Sequence, residues 1–356
     1  MKRSPQAPRK TGARSLHNLV VRRAILFVVI AVLLTGSIIV PPAVGSTNSP
    51  AGKGWIQISG PGPSPRWTHS MVLDRKRQEA VVFGGFGGGR EVWIFSFAAR
   101  KWTRVDVANG PTPRASPAAI ADFARDRMVV VGGLYNGRLF DDVWAFSFAT
   151  RTWSQLPKGP SPRFDMGAVT DGVHAWFYGG FLPKLKATDE LWQLDLATDT
   201  WTLLPQSKTR PSPRTNMGIG LYHGSMYVIG GHDAKGITPG TWRYDFSSQS
   251  WTQLSPAGKP GAGAHFASAT DNICAQLFLA GGDHDDNVDV DTTDRFLFLN
   301  PAFIRLATTR NFPARRHGAL VLEPRTRTLL LFGGIHDPKQ RLGDTWFYQL
   351  GRGCTP

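Results

Sequence analysis

Five arginines share a local setting that suits anion binding. Each follows a proline-containing turn such as GPTPR or GPSPR, and the set is Arg66, Arg114, Arg163, Arg214 and Arg315. A guanidinium group holds a carboxylate by two parallel hydrogen bonds, so a ring of these side chains would suit a carboxylate or an acidic sugar. The alternative is that each arginine is part of its turn and pairs with a carboxylate further along the chain. The candidate carboxylates are Glu91, Asp142, Glu190 and Asp344.

A second group combines imidazoles and carboxylates just after paired glycines. Its members are His232, Asp233, Asp283, His284, Asp285, His336 and Asp337. Divalent metal ions take these ligand types, so a metal site is one hypothesis. The other is that Asp and His close tight turns through side-chain hydrogen bonds. No cofactor other than such a metal is predicted.

A third group is aromatic and lies near the same turns and glycine pairs. It consists of Trp67, Phe86, Tyr135, Phe164 and Phe181. Aromatic rings beside polar groups would suit a sugar or a peptide. The alternative is that these rings fold over their own sheets and bind nothing.

These groups recur because the chain contains six repeats. An apolar run ends in paired glycines six times, 47 to 52 residues apart, at Gly85, Gly133, Gly180, Gly231, Gly282 and Gly334. Two tryptophans spaced by nine residues follow in the first four repeats, as in Trp93 and Trp102. Runs of β-branched and aromatic residues between Gly/Pro turns predict four strands per repeat, lettered a to d. Strand b ends in the glycine pair and tryptophans open strands c and d, with Phe296 and Phe303 expected in these positions of repeat 5.

This pattern resembles the kelch family over residues 55–350, and the resemblance implies an all-β, six-bladed β-propeller of four-stranded blades. The last repeat ends at strand c, whereas Trp55 to Ile58 precede the first turn. The N-terminal strand is therefore expected to complete the last blade and remove the exposed edges. The d–a and b–c loops then form one face, here called the loop face, and the a–b and c–d turns form the turn face. In kelch relatives the loop face usually binds ligands.

The N-terminus predicts export. Residues 1–23 carry seven cations and no acid, and the uncharged apolar stretch 24–40 follows. This arrangement predicts a basic cytoplasmic segment at 1–23, a signal peptide or transmembrane signal anchor at 24–45 and a linker at 46–54. We therefore expect a periplasmic, extracellular or membrane-anchored protein with the propeller outside. A retained anchor would point the loop face away from the bilayer.

The two cysteines are Cys274, at the a–b turn of repeat 5, and Cys354, in the tail at 351–356. Both are expected on the turn face, and export permits a disulfide. The distance between inner and outer strands leaves their pairing open.

The formal charge of +15 does not predict nucleic-acid binding. Seven of the cations lie in residues 1–23, and the rest of the chain has no basic run with interleaved aromatics. A monomer is expected.

The leading hypothesis is an extracytoplasmic recognition module that binds a protein or a carbohydrate on the loop face. A rival is a sugar epimerase or mutarotase that uses an arginine and an acid at the channel mouth, similar in architecture to the periplasmic sialic-acid mutarotase. A third is a metal-dependent site at blades 4 to 6. A narrow pocket that joins an arginine to an isolated carboxylate would favour the enzyme.

Overall fold

A computed structural model describes residues 54–284, 288–351 and 353–354. The predicted basic segment, export segment and all but the last residue of the linker lie outside the described residues, as does Asp285. No helix within the described ranges combines the length and the apolar character that a membrane span requires.

The described chain consists of short antiparallel strands, with one 3₁₀ turn at Pro183–Leu185. In chain order the strands are β1 (Trp55–Ile58), β2 (Ser70–Asp74), β3 (Glu79–Phe83), β4 (Val92–Ser96), β5 (Lys101–Val105), β6 (Ala118–Asp122), β7 (Arg127–Val131), β8 (Leu134–Tyr135), β9 (Arg138–Leu139), β10 (Val143–Ser147), β11 (Trp153–Leu156), β12 (Gly167–Thr170), β13 (His174–Tyr178), β14 (Phe181–Leu182), β15 (Lys186–Ala187), β16 (Leu191–Asp195), β17 (Thr200–Leu203), β18 (Gly218–Tyr222), β19 (Ser225–Ile229), β20 (His232–Asp233), β21 (Gly236–Ile237), β22 (Thr241–Asp245), β23 (Ser250–Leu254), β24 (Ala267–Asp271), β25 (Gln276–Ala280), β26 (Thr293–Leu297), β27 (Ala302–Arg305), β28 (Ala319–Glu323), β29 (Thr328–His336) and β30 (Gln340–Gln349).

Six four-stranded sheets form the six blades, which confirms the predicted fold. Blades 1 to 5 take their strands in sequence order, whereas blade 6 has the order β28, β29, β30 and β1. Trp55 of β1 lies opposite Tyr348 of β30, so the N-terminal strand completes the last blade as expected. The innermost strands β2, β6, β12, β18, β24 and β28 contact one another around a closed ring.

A repeated backbone hydrogen bond links each blade to the next. The second glycine of each pair donates its N–H to a carbonyl oxygen in the d–a loop that follows: Gly85 to Arg114, Gly133 to Arg163, Gly180 to Arg214, Gly231 to Gly263, Gly282 to Arg315 and Gly334 to Arg66. The glycine backbone has positive φ at these positions, and a Cβ on Gly231 would lie 2.9 Å from the Thr215 carbonyl oxygen. A side chain on Gly231 would thus collide with the d–a loop of its own blade, whereas a side chain on Gly230, the first glycine of this pair, would collide with the Gly263 carbonyl oxygen of blade 5.

The strand-d tryptophans pack between neighbouring blades. Trp102 Nε1 donates to Thr345 Oγ1 of blade 6 at 2.9 Å, and Trp55 Nε1 donates to Thr293 Oγ1 of blade 5 at 3.0 Å. Trp55 and Trp102 thus bury their rings between two sheets while their N–H groups find partners, whereas the buried indole N–H groups of Trp153 and Trp201 have none in the structure.

Blade 5 requires a correction. Phe303 takes the strand-d tryptophan position, but Phe296 does not take the strand-c one, because it pairs with Phe303 as Phe95 pairs with Trp102. Asp294 occupies that position instead, and its carboxylate accepts hydrogen bonds from Gly261 N at 2.7 Å and Arg305 Nε at 2.6 Å. A polar contact therefore replaces the indole.

Cys274 and Cys354 form a disulfide on the turn face, with their Cα atoms 5.1 Å apart. The tail after β30 brings Cys354 to the a–b turn of blade 5. The bond joins the C-terminal end of blade 6 to blade 5, beside the point where β1 completes the ring.

Candidate functional site

A ring of six residues surrounds the central channel near the loop face, one from each blade, and is here called the collar. Its members are Thr68, Ser116, Asp165, Asn216, His265 and His317. Each N–H donates to the carbonyl oxygen of the member in the preceding blade, and the Thr68 N–H donates to His317 O at 3.1 Å, which closes the circle. All six have φ between 52° and 58°. Their positive φ turns successive loops inward at the same height.

The collar borders a cavity of about 200 Å³ inside the channel. Polar side chains of the collar and apolar residues such as Met71, Met166 and Met217 line this cavity. A small cavity with convergent polar groups is a usual setting for a ligand.

The collar carboxyl group is held in an unusual environment. Burial raises the pKa of Asp165 above its ordinary value, although hydrogen bonds from Ser116 and Asn216 act in the opposite direction. Burial also lowers the pKa of His317 well below its usual range, and nearby His265 and Arg316 add to this effect. Burial therefore favours the uncharged forms of Asp165 and His317.

The five arginines of the proline turns are buried, with exposed fractions between 0% and 1%. Four of them bind the carboxylates named as the alternative in the sequence analysis: Arg66 binds Glu91 at 2.8 Å, Arg114 binds Asp142 at 2.6 Å, Arg163 binds Glu190 at 2.7 Å and Arg315 binds Asp344 at 2.7 Å. Their guanidinium groups are thus occupied within the blades, which favours the structural interpretation over a ligand-binding ring.

The strand-c tryptophan joins the same network in three blades. Trp144, Trp192 and Trp346 donate their indole N–H groups to Asp142, Glu190 and Asp344 at 2.6 to 2.9 Å. Burial acts to raise the pKa of Asp142, but hydrogen bonds from Arg114 and Trp144 outweigh it and hold the pKa below its usual value. An arginine, a carboxylate and a tryptophan therefore form one repeated structural unit.

Blades 4 and 5 depart from this unit. Arg214 has no carboxylate partner among the described residues; it donates to the carbonyl oxygens of Gly230 at 2.8 Å and Thr238 at 3.3 Å. Burial lowers the pKa of Arg214. Blade 5 has Gly263 at the arginine position, and this glycine leaves room for the side chain of Ile237.

The predicted imidazole and carboxylate group is only partly brought together. Asp283 is buried and its Oδ1 lies 2.7 Å from Nδ1 of His265. The ring of His232 lies beside that of His265, with the centroids 5.4 Å apart and the planes tilted by 43°, and burial lowers the pKa of His232. His284 is exposed, and Asp233 accepts a turn hydrogen bond from Lys235 N at 2.7 Å.

A second carboxylate, Asp289, joins the loops of blades 5 and 6. Its oxygens lie 2.5 Å from Arg316 Nη1, 2.8 Å from Asp337 N and 3.6 Å from His336 Nδ1. Within the described ranges, no three carboxylate, imidazole or thiol groups are gathered in a metal-binding arrangement. The metal hypothesis stays a prediction.

The aromatic residues contact one another across their loops. Trp67 lies 4.9 Å from Phe86 and 5.1 Å from His317, measured between ring centroids, and Phe164 lies 5.4 Å from Phe181. Tyr135 is 42% exposed at the tip of the β8–β9 hairpin, whereas the other four rings are buried or half-buried. Most of the set therefore covers its own blades, and few open ring faces are available to a sugar.

Hairpins rise from the b–c loops around the collar. Blades 2, 3 and 4 carry the pairs β8–β9, β14–β15 and β20–β21, and in blade 6 the ladder of β29 and β30 continues to His336 and Gln340. The loop face is thus a depression with a polar floor and hairpin walls.

Sequence reasoning missed the collar. Each member lies two residues after the proline-turn arginine, or after Gly263 in blade 5, and every member is polar. The recurrence of a polar residue at this position in all six repeats is the sequence signal that could have indicated the collar.

These features define a class of protein, a six-bladed propeller whose loops surround a channel mouth. A family model described as the KLHDC2/KLHL20/DRC7 Kelch-repeats domain matches residues 53–181 and, in a second match, residues 157–318. The two matches are offset by about two repeats and together span more than half of the chain. The chain belongs to the kelch-repeat family, whose propellers are generally protein-binding modules.

Proposed function

We propose that this chain is a recognition module, displayed outside the cytoplasmic membrane, that binds a protein ligand at the channel mouth on the loop face. The observation that carries the proposal is the collar. One polar side chain from every blade converges on a small cavity below the hairpin walls. A polypeptide segment could rest on the hairpins and insert one side chain into the cavity.

A protein ligand is preferred over a carbohydrate for a physical reason. Sugar binding commonly uses open aromatic faces, but Trp67, Phe86, Phe164 and Phe181 are turned toward one another. The hairpins instead expose charged side chains, one each from blades 2, 3 and 4 in Arg138, Lys186 and Lys235, which suits the polar rim of a protein interface.

The disulfide supports the exported location. Stable disulfides form in oxidising compartments and are rare in the cytosol. The bond between Cys274 and Cys354 agrees with the export signal expected from residues 1–45.

Selection of a random peptide library displayed on phage against residues 46–356 tests the proposal. We expect enriched peptides that lose binding when the collar changes in Asp165→Asn or His265→Asn. Asparagine tolerates the left-handed backbone at both positions, so the fold should be kept. Peptides that bind wild type and both variants equally would place the binding site elsewhere and contradict the proposal.

A second candidate is acid–base catalysis on a small sugar. His265 is oriented by Asp283, and Asp165 lies near enough to His265 for the imidazole to affect its pKa. A base held by a carboxylate, facing a carboxyl group of raised pKa, is a usual acid–base pair. The arginine that the sequence hypothesis assigned to this reaction is occupied in the blades, so His265 and Asp165 would carry it.

Anomer exchange of sialic acid and neutral sugars, followed by NMR, tests this candidate. If the wild-type protein exchanges the anomers faster than buffer alone does, and the His265→Asn variant does not, the result would support this catalytic function. Exchange at the buffer rate with the wild-type protein would exclude it for those sugars.

A further inference from the structure

The turn face of blades 5, 6 and 1, here called the arc, carries exposed cations in blades 6 and 1. Lys76, Arg100, Lys101 and Arg325 are exposed at its turns. Within the part of the chain that the structure describes, none of these four lies within ion-pair distance of a carboxylate. Their charges therefore face solvent.

The acids of these turns and of the adjoining blade 2 are buried or paired: Glu79 and Asp126 are half-buried and bind Arg151 at 2.6 Å and Arg77 at 2.7 Å. Asp74, Asp122 and Asp271 are 0% to 1% exposed, and they bind Arg77, Arg127 and Arg327 at 2.8 to 2.9 Å. Glu323 is also buried, and it accepts hydrogen bonds from the backbone N–H groups of Arg325 and Thr326. This separation gives the surface a positive potential that is stronger than the composition alone suggests.

Two apolar side chains lie on the same arc. Leu299 is 70% exposed and Ile273 is 64% exposed, at the c–d and a–b turns of blade 5. A hydrogen bond from Phe298 N to Ala275 O, 3.0 Å long, joins these two turns. Leu299 and Ile273 thus form an exposed apolar tip on blade 5, beside the cations of blades 6 and 1.

The rest of the turn face differs. The turns of blades 3 and 4 carry Asp171, Asp195 and Asp245 and contain no lysine or arginine. Val173 of blade 3 is also 60% exposed, but it lies among these acidic turns. Exposed cations and exposed apolar tips occur together only on the arc, within the part of the turn face that the structure describes.

We propose that this arc of the turn face docks on an anionic lipid bilayer. Lysine and arginine side chains near an anionic membrane surface are attracted to its headgroups, and exposed apolar tips can enter the interface. The chain enters the propeller at Trp55, opposite Tyr348 near the turn-face end of β30, in the middle of the arc. The sequence before this point contains the uncharged apolar stretch 24–40.

Docking in this orientation leaves the loop face directed away from the lipid and open to a ligand. The inference does not depend on the identity of that ligand, because the two faces are separate. Failure of peptide binding at the collar and failure of lipid binding at the arc are measured independently.

Vesicle co-sedimentation of residues 46–356 tests the inference, because this fragment contains every strand of the six blades. Vesicles of phosphatidylglycerol and phosphatidylcholine are compared with vesicles of phosphatidylcholine alone. We expect binding to the anionic vesicles only, weakened when salt is raised from about 0.1 M to about 0.5 M. The double variant Arg100→Gln/Lys101→Gln should bind about 30-fold more weakly, since each cation contributes about a fivefold factor.

A matched control removes two exposed cations away from the arc. Lys208→Gln/Lys259→Gln makes the same change in net charge, in the loops that join blades 3, 4 and 5, and should bind as the wild type does. The variant Leu299→Ser should weaken binding about tenfold without lowering the thermal midpoint.

Two results would overturn the inference. One is equal sedimentation with neutral and anionic vesicles, or none with either. The other is vesicle binding that stays unchanged in the Leu299→Ser variant and is abolished by a stoichiometric amount of soluble heparin. This result would identify a general polyanion site rather than a lipid-binding surface.

Discussion

The backbone N–H of Gly334 in blade 6 donates a hydrogen bond of 2.9 Å to the carbonyl oxygen of Arg66 in blade 1. An equivalent hydrogen bond links each of the remaining five pairs of neighbouring blades. The junction that closes the propeller is therefore built like the five junctions within the chain. The side chain of Arg66 holds Glu91 of its own blade at 2.8 Å. One residue therefore joins the closure of the ring to the internal bonding of a blade.

The glycine contacts predict a sharp difference between two substitutions in blade 4. Gly224 and Gly230 both have positive φ, but a Cβ on Gly230 would lie 2.0 Å from the Gly263 carbonyl oxygen, whereas none of the atoms around Gly224 lies within 4 Å. Gly224→Ala should cost about 1–2 kcal/mol from backbone strain alone. Gly230→Ala should cost several times more, because it also separates blades 4 and 5. Urea unfolding measures both, and equal costs would contradict the account.

The buried ion pairs predict that the proline-turn arginines serve stability. Arg315→Met should lower the free energy of unfolding by about 3–5 kcal/mol, because it leaves Asp344 partly buried without its cation. Arg210→Met removes an arginine that binds Asp189 at 2.6 Å on the surface, and it should leave the unfolding midpoint nearly unchanged. Similar effects of the two substitutions would show that burial does not decide the role of Arg315.

The disulfide predicts a dependence of stability on oxidation. Cys274 and Cys354 are 80 residues apart, so their bond restricts a large loop of the unfolded chain. Cys354→Ser should lower the free energy of unfolding by about 2–4 kcal/mol, and a reducing agent should have the same effect on the wild type. Two free thiols in the unfolded, unreduced protein would show that the bond does not form.

Buried His69 predicts destabilisation by acid. Burial, together with nearby Arg66, lowers its pKa from 6.5 to about 3. The folded protein therefore resists a proton that the unfolded chain accepts, so this contribution to stability is complete above the unfolded pKa and is lost as the pH falls toward the folded one. Between about pH 7.5 and pH 4.5 the loss due to His69 should be about 2–3 kcal/mol.

The variant His69→Asn separates this effect from simple packing. Lost packing lowers stability equally at every pH, whereas lost titration makes the pH profile flatter. Unfolding free energies of wild type and variant, measured across this pH range, should converge in acid. Parallel profiles would contradict a neutral buried imidazole.

The sequence allowed the architecture to be predicted because its signals are local and repeated. Glycine pairs end the b strands, and the segment from Trp55 resembles the strands that precede every other proline turn, so ring closure could be inferred. The sequence also offers the pairing of the arginines with Glu91 and its equivalents as one of two interpretations, because this pairing depends on a fixed spacing within one blade.

The collar could not be inferred because it depends on six loops that meet in space. Thr68, Ser116 and Asn216 are ordinary loop residues in the sequence, and only their shared positive φ turns them toward the channel. In blade 5 the aromatic character of Phe296 suggested a tryptophan equivalent, whereas the strand register gives that place to Asp294. The strand pattern does not predict the disulfide, because it does not encode the path of the tail after β30.

The affinity of a selected peptide for the collar variants tests the central claim most directly. Calorimetry would compare wild type with Asp165→Asn, His265→Asn and, as a control on the turn face, Asp171→Asn. We predict that each collar variant weakens binding at least tenfold, about 1.4 kcal/mol, and that the control leaves it unchanged. Equal affinity for all four proteins would contradict recognition at the channel mouth.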